Sequence, residues 1–238
     1  MKKCIVIGAT SGIGRELSRL YVSKGYMTGI TGRRENLLRE LGSENPASYK
    51  IKSFDISKPD TNFRNLEELS SELGGLDLII INSGTGNGND ELKFEIEKDT
   101  VLTNVLGSTE IAGWAFNYFR KQGYGQIAIV TSIAGMRGGR FAPAYSASKA
   151  YLINYAEGLR QKAKKLKLNV SVTDIRPGFV DTAMAKSDNK FWVATPKKAA
   201  EQIYSALIRK KKIAYITRRW IIIAYILKLL PKWIFDKI

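Results

Sequence analysis

Seven short apolar runs alternate with stretches of helical character along this chain, and that alternation constrains the fold more than any other property of the sequence. Strands are expected over residues 4–7, 27–31, 49–53, 77–82, 126–132, 171–176 and 213–217. Helices are expected between them over 12–24, 35–41, 62–73, 100–122, 147–166 and 196–210. Strands separated by helices join through right-handed crossovers into a parallel sheet with helices on both faces. The expected class is therefore α/β, a single doubly wound domain around a seven-stranded parallel sheet. With 238 residues, 44% of them hydrophobic and 25% charged, the chain suits one sizeable core and lacks the composition of a disordered protein. No fixed-period repeat and no Pro- or Ser-rich linker divides it.

The chain contains no histidine. Ser-His-Asp hydrolysis, Cys-His catalysis and His-ligated zinc each need an imidazole, so all three are excluded. Proton transfer must fall to Tyr, Lys or a carboxylate. The one cysteine, Cys4, can form neither an internal disulfide nor a multi-cysteine metal site, and its apolar neighbours fit a buried inert thiol. A reduced, cytoplasmic setting is expected, with no metal. Met1-Lys2-Lys3 leads into an apolar stretch that Gly8 ends, too short for the core of a signal peptide, so secretion is not expected.

Gly8-Ala9-Thr10-Ser11-Gly12-Ile13-Gly14 follows the first expected strand and opens a helix. Its glycines let the backbone turn tightly and approach a pyrophosphate, and the helix N-terminus adds N–H groups and positive dipole. The spacing is G-x3-G-x-G, and a tight loop without a ligand would also satisfy it. A second glycine-rich segment, Gly84-Thr85-Gly86-Asn87-Gly88-Asn89, follows the fourth strand. Ligands bind beyond the carboxyl ends of strands in such sheets, so this segment is either part of a site or a flexible connector.

Tyr145-Ser146-Ala147-Ser148-Lys149 places a phenol and an ammonium four residues apart, on one face of an expected helix. With Ser132 ending the fifth strand and Asn104 in the helix before it, the set resembles the short-chain dehydrogenase/reductase family over nearly the whole chain. Gly8, Gly12 and Gly14 match its glycine turn, Asp55 follows the third strand, and Asn82 and Gly84 follow the fourth. Asn104, Ser132, Tyr145 and Lys149 match its catalytic tetrad, and Pro177-Gly178 with Thr182 matches the segment after the sixth strand. Ile81 and Ser83 depart from the usual Asn-Asn-Ala-Gly, which bears on packing of the cofactor site more than on chemistry.

The resemblance implies a Rossmann-type domain and carbonyl reduction or alcohol oxidation by hydride transfer. It implies cofactor contacts from Gly8, Thr10, Ser11, Gly12, Ile13, Gly14, Arg33, Arg34, Asp55, Ile56, Asn82, Ser83, Gly84, Tyr145, Lys149, Pro177, Gly178, Val180 and Thr182. Tyr145 would be the general acid in reduction and the base in reverse, with Lys149 and an oxidised nicotinamide lowering its pKa from an ordinary value near ~10. Ser132 would hydrogen-bond the substrate oxygen. The resemblance assigns Lys149 a second task on the nicotinamide ribose and gives Asn104 a place in a water-mediated relay. Each residue also has a plainer role open to it: Ser132 as a turn cap, Asn104 bonded to backbone, Tyr145 as packing. A cofactor-binding protein without turnover is the alternative.

Past the second strand, Thr31-Gly32-Arg33-Arg34 lacks the acidic residue that would bond the 2′-hydroxyl of NAD. Gly32 leaves room, and Arg33 offers a guanidinium to a 2′-phosphate, with Arg34 as a further contact, so NADP(H) is favoured over NAD(H). Met184, Phe191 and Trp192, within residues 179–195, suit either an apolar lid over the substrate or simple packing. The small-molecule carbonyl or alcohol substrate is expected to be carrier-linked, lipid-like or sterol-like, on the range the family offers. A homodimer or homotetramer is expected, because Trp114, Phe119, Tyr151 and Tyr155 crowd two helices that the family commonly pairs across a symmetry axis.

Net charge is +16, and residues 197–238 hold eleven basic side chains against Glu201 and Asp236. Residues 1–217 carry the nucleotide-binding and catalytic motifs, and 218–238 form a basic, apolar C-terminal extension of the same domain. Its run from Trp220 to Leu230 is shorter than the roughly 20 residues of a membrane-spanning helix, and Lys228 interrupts it. Three placements fit: peripheral contact with a membrane surface, a cover over the substrate cleft, or an oligomer interface. Nucleic acid is not an expected partner, since no base-reading module is present.

Overall fold

In the computed structural model, which describes residues 1–182 and 191–235 apart from the side chains of Asp60 and Lys232, the sheet has seven strands in the order β3-β2-β1-β4-β5-β6-β7. These are β1 (Lys3–Ile7), β2 (Met27–Gly32), β3 (Tyr49–Ser53), β4 (Leu78–Ile81), β5 (Tyr124–Val130), β6 (Asn169–Pro177) and β7 (Ile213–Ile216), all parallel. The order reverses between β1 and β4, which places a crevice beyond their carboxyl ends.

Side chains alternate across the sheet with the period of two that strands impose. Cys4, Val6, Leu78, Ile80, Ala128 and Val130 face one layer, where α1 (Gly12–Ser23) contributes Leu17 and Tyr21, α2 (Glu35–Ser43) contributes Leu38 and Leu41, and α7 (Pro196–Ile208) contributes Ile203 and Leu207. Ile5, Ile7, Ile79, Ile81, Ile127 and Ile129 face the other layer. There α3 (Pro59–Glu72) brings Leu66 and Leu69, α5 (Ser108–Gln122) brings Ile111 and Phe119, and α6 (Pro143–Lys165) brings Leu152 and Leu159. Cys4 is fully buried, as its neighbours suggested.

Three helix starts differ from expectation, and the first is α3, which begins at Pro59 instead of residue 62. The helix expected from residue 100 begins earlier as α4 (Phe94–Thr100), passes through a π-helical stretch at Val101–Gly107, and continues as α5. π-Segments are rare and concentrate at functional positions, and this one carries Asn104. The helix expected from residue 147 starts at Pro143, whose missing N–H costs nothing in a first helical turn. After β7 the chain forms α8 (Trp220–Leu229) and α9 (Lys232–Phe235). Among the described residues no helix is long and apolar enough to cross a membrane.

The aromatic surplus expected on α5 and α6 is smaller than the sequence suggests. Phe119 is fully buried, and Trp114 is buried with its indole N–H donating to Glu67 Oε1 at 2.7 Å. Tyr151 is exposed and stacks on Tyr155 at 5.7 Å between ring centroids.

Candidate active site

The glycine turn lies at the sheet crevice. Gly8 sits at φ +86, and its N–H and that of Ala9 both donate to Thr31 O, binding the turn to the end of β2. A Cβ on Gly14 would stand 2.0 Å from Gly8 O and 2.6 Å from Asn82 Nδ2, so the helix start can come this close only without a side chain. Asn82 Nδ2 donates to Gly8 O at 2.9 Å, and Ser83 N–H donates to Ile7 O, which holds the end of β4 against the turn. Ser11 is the N-cap of α1, yet no side chain caps that helix. Its first N–H groups therefore remain for an anion. Thr182 closes the turn from above, its Cγ2 lying 2.9 Å from where a Gly12 Cβ would be. This cradle fits a dinucleotide pyrophosphate. Ile13 is partly buried and packs on the core beneath it.

At the end of β2, a Cβ on Gly32 would meet Thr10 Cγ2 at 2.7 Å, so the strand end and the glycine turn are in contact. Arg34 bridges them, donating from Nη2 to Thr10 Oγ1 at 2.6 Å and to Ser11 Oγ at 2.9 Å. Arg33 instead leans toward Asp55 at 3.8 Å and is exposed. The Asp55 carboxylate accepts from the N–H and hydroxyl of Ser57. Ile56 is buried, with its carbonyl accepting from Asn62 Nδ2.

The four residues of the tetrad converge beyond β4 and β5. Lys149 is buried at 3% exposure and donates from Nζ to Val130 O at 2.9 Å, with Nζ 5.7 Å from the centroid of the Tyr145 ring. Ser132 caps the 3-10 turn Ile133–Met136 by accepting from Ala134 N–H, and the same hydroxyl is close enough to Tyr145 to draw down the phenol's pKa. Asn104 is fully buried. Its Oδ1 accepts from Thr85 N–H, and its Nδ2 donates to Thr85 O and to Ser148 Oγ. Both amide hydrogens are thus used, and the second lone pair of Oδ1 is what remains for a water.

Burial pushes the Tyr145 phenol above its ordinary value, and the Ser132 hydrogen bond draws it partly back. Lys149 is itself desolvated: its pKa falls to about 8, with burial the main cause and Asp174 opposing it. Asp174 lies beneath the site, accepting from Thr131 Oγ1 and pairing with Arg176.

The second glycine-rich segment proves to be a wall of the site. Gly84 lies against both Asn104 Oδ1 and Lys149 Nζ, each 3.3 Å from where its Cβ would be. A Cβ on Gly86 would sit 2.4 Å from Tyr145 Cδ2, so the backbone there lies flat on the Tyr145 ring. Asn89, buried, fastens the segment by accepting from Lys93 N–H and donating to Lys93 O and Glu97.

The opposite wall follows β6. Gly178 N–H donates to Ile216 O, and Val180 pairs with Ala194. Against Gly178 lies the Trp220 indole, with three ring atoms within 2.2 Å of a hypothetical Cβ there. Trp220 is 4% exposed and packs with Phe179, Phe191 and Trp192 at 4.9 to 6.1 Å between centroids. Phe191 and Trp192 thus pack onto α8; Met184 lies outside the described residues.

Sequence reading assigned no role to Ser148 or Thr85, and placed Trp220 only within a segment that could cover the substrate cleft. Ser148, whose hydroxyl donates to Tyr145 O and accepts from Asn104, ties the tyrosine helix to the π-helical stretch. Thr85 holds Asn104 through backbone atoms alone, and Trp220 forms a wall from more than forty residues away along the chain. Only Ser148, one helical turn from Tyr145, left a signal in the spacing.

The family model described as short chain dehydrogenase matches residues 2–191. An uncharacterized oxidoreductase of Myxococcus xanthus is 32% identical over 193 residues, covering 79% of this chain and 76% of that protein. A 3-oxoacyl-(acyl-carrier-protein) reductase of Bos taurus is 30% identical over 193 residues, covering 79% of this chain and 80% of the relative. A closed form of serine dehydrogenase complexed with NADP+ shares the fold, with a TM-score of 0.80 at 24% identity over 86% of this chain and 88% of the other.

Proposed function

The chain belongs to the short-chain dehydrogenase family, and from that premise we propose that it reduces a carbonyl, or oxidises a secondary alcohol, with NADP(H) and with Tyr145 as the proton donor and acceptor. The observation that carries this reading is the convergence of Tyr145, Ser132, Lys149 and Asn104 beside a glycine cradle with an uncapped helix N-terminus. A bound nicotinamide supplies or accepts the hydride.

Held above its ordinary pKa by burial, Tyr145 is protonated at neutral pH and so begins the reduction as a loaded acid. It gives its proton to the carbonyl oxygen as that oxygen gains charge, while Ser132 donates a hydrogen bond to the same atom. Lys149, with one N–H on Val130 O, keeps two donors for a ribose and places positive charge near the phenolate. Asn104 positions the helix of Tyr145 through Ser148. In the alcohol-oxidising direction the phenol must first lose its proton, so that rate rises with pH.

Gly32, Arg33 and Arg34 support the preference for NADP(H), since no carboxylate stands at the end of β2. The carrier-linked substrate of the bovine relative and the basic surface here support an acyl-type carbonyl as substrate. The stacked pair of exposed Tyr151 and half-buried Tyr155 supports self-association through α5 and α6 as a homodimer or homotetramer. NADPH oxidation measured over a panel of ketones tests the activity. Turnover by the parent, lowered about 100-fold or more in Tyr145→Phe, is expected. Equal rates in the two proteins would refute the assignment, and NADPH binding with no turnover on any ketone would leave the silent cofactor-binding reading instead.

A further inference from the structure

Helix α8 is apolar on both faces, and among the described residues only one of them is covered. The inner face, Trp220 and Ala224 with partly buried Ile223 and Leu227, packs on Ile133, Met136, Phe179 and Tyr215. Arg137 locks it there, donating from Nε to Leu227 O at 2.7 Å and from Nη2 to Leu230 O. The outer face holds Ile221, Ile222, Tyr225, Ile226 and Leu229, all exposed, with Leu229 at 76%. At 100° per residue these five fall within an arc of about 140° that contains no charged side chain. With Leu230 and Pro231 they line an open apolar groove, and Trp233, also exposed, stands on the next helix.

The charges around this face have one sign. Exposed Arg218 and Arg219 precede α8, and exposed Lys228 stands at the edge of the apolar arc. Residues 202–235 contain eight cations and no carboxylate. A second copy of the chain laid on this face would bring like charges together with no acid on the element to pair them. Nucleic acid would meet the cations but leave the isoleucines and leucine in water. An anionic bilayer satisfies both, since its acyl layer takes the aliphatic side chains, its phosphates take the cations, and Tyr225 and Trp233 fit the headgroup level.

We infer that the outer face of α8 is a docking surface for an anionic lipid bilayer, on which the helix lies flat. The inner face rests on the turn that Ser132 caps and on Gly178, so docking brings the catalytic cleft within about one helix diameter, ~10 Å, of the lipid. Combined with the proposed reduction, this geometry favours carbonyl compounds that reside in the bilayer. The docking itself rests on α8 alone.

Co-sedimentation of the full chain with NADPH and vesicles tests it, using phosphatidylcholine alone and phosphatidylcholine mixed with phosphatidylglycerol. The parent is expected to sediment with the mixed vesicles, at least about tenfold more than with the neutral ones, and to be released by salt. Ile222→Glu/Ile226→Glu, at exposed positions outside the cofactor cradle, should reduce binding about tenfold or more while NADPH affinity stays at the parent value. Arg218→Gln/Arg219→Gln should weaken it without altering the apolar face. Absence of sedimentation with the mixed vesicles overturns the inference, as does equal binding to both vesicle types. Light scattering that shows a parent dimer falling to monomer in the Ile222→Glu/Ile226→Glu variant also overturns it, by assigning the face to a second copy. Vesicle binding by a protein that turns over no ketone would sustain the docking while removing the proposed reaction.

Discussion

Lys149 is held in the core as a base with a pKa of about 8 against an ordinary 10.5. The folded chain therefore binds fewer protons there than the unfolded chain between those values, and stability rises with pH across that window. Below pH 8 the full penalty applies, about 3 kcal/mol for a shift of this size. Lys149→Met removes it and loses the hydrogen bond to Val130 O, worth about 1 kcal/mol. Urea unfolding should show this variant about 1–2 kcal/mol more stable at pH 7, with the gain shrinking as pH is raised to 9.5, while turnover is lost. A variant less stable at pH 7 would show that the charge costs the fold little. The arginines make a second case. Arg33 faces Asp55 in an exposed pair worth about 0–1 kcal/mol, which leaves it free to turn to a ligand. Arg34 already touches the turn through Thr10 and Ser11. Arg33→Ala and Arg34→Ala should each weaken NADPH about ten- to a hundredfold in fluorescence titration and leave NADH nearly unchanged. Equal affinity of the parent for both cofactors would end the argument.

Among the elements, the junction of β6 and α8 is the most exposed to a single atom. A methyl group at Gly178 would lie 2.0 Å from the Trp220 ring, a distance no packed side chain adopts. Gly178→Ala should therefore expel the indole and cost about 3–5 kcal/mol in urea unfolding, as removal of a large buried aromatic does. Trp220→Ala should cost a similar amount, and the double variant clearly less than the sum, because the clash and the lost packing involve one contact. Each of the seven strands was legible in the sequence because an apolar run of that length between helices has few other uses. α4 was not: Phe94, Glu95, Lys98 and Asp99 give no apolar stripe, and the segment is held by Asn89 and by Glu97 accepting from Ala144 N–H. The π-helical stretch left no periodicity to read. Of the site, the convergence of Asn104, Ser132, Tyr145 and Lys149 was legible, whereas the ties that Ser148 and Thr85 make to Asn104 depend on contacts across elements that spacing does not encode.

For the whole molecule, the sheet divides the labour of the site. β1, β2 and their loops hold the glycine turn and the arginines, while β4, β5 and β6 end at Asn82, Ser132 and Gly178. The absence of histidine leaves no side chain with an ordinary pKa between 5 and 8, so the net charge of +16 changes little across neutral pH. The anchoring of Trp220 on Gly178 also orders events in time. β1, an interior strand, is made before the other six, and α8 follows Gly178 by about 2–8 s at ordinary rates of synthesis. The indole thus emerges when its seat on the sixth strand has already been made. Helix α8 therefore arrives with a ready seat for one of its two apolar faces.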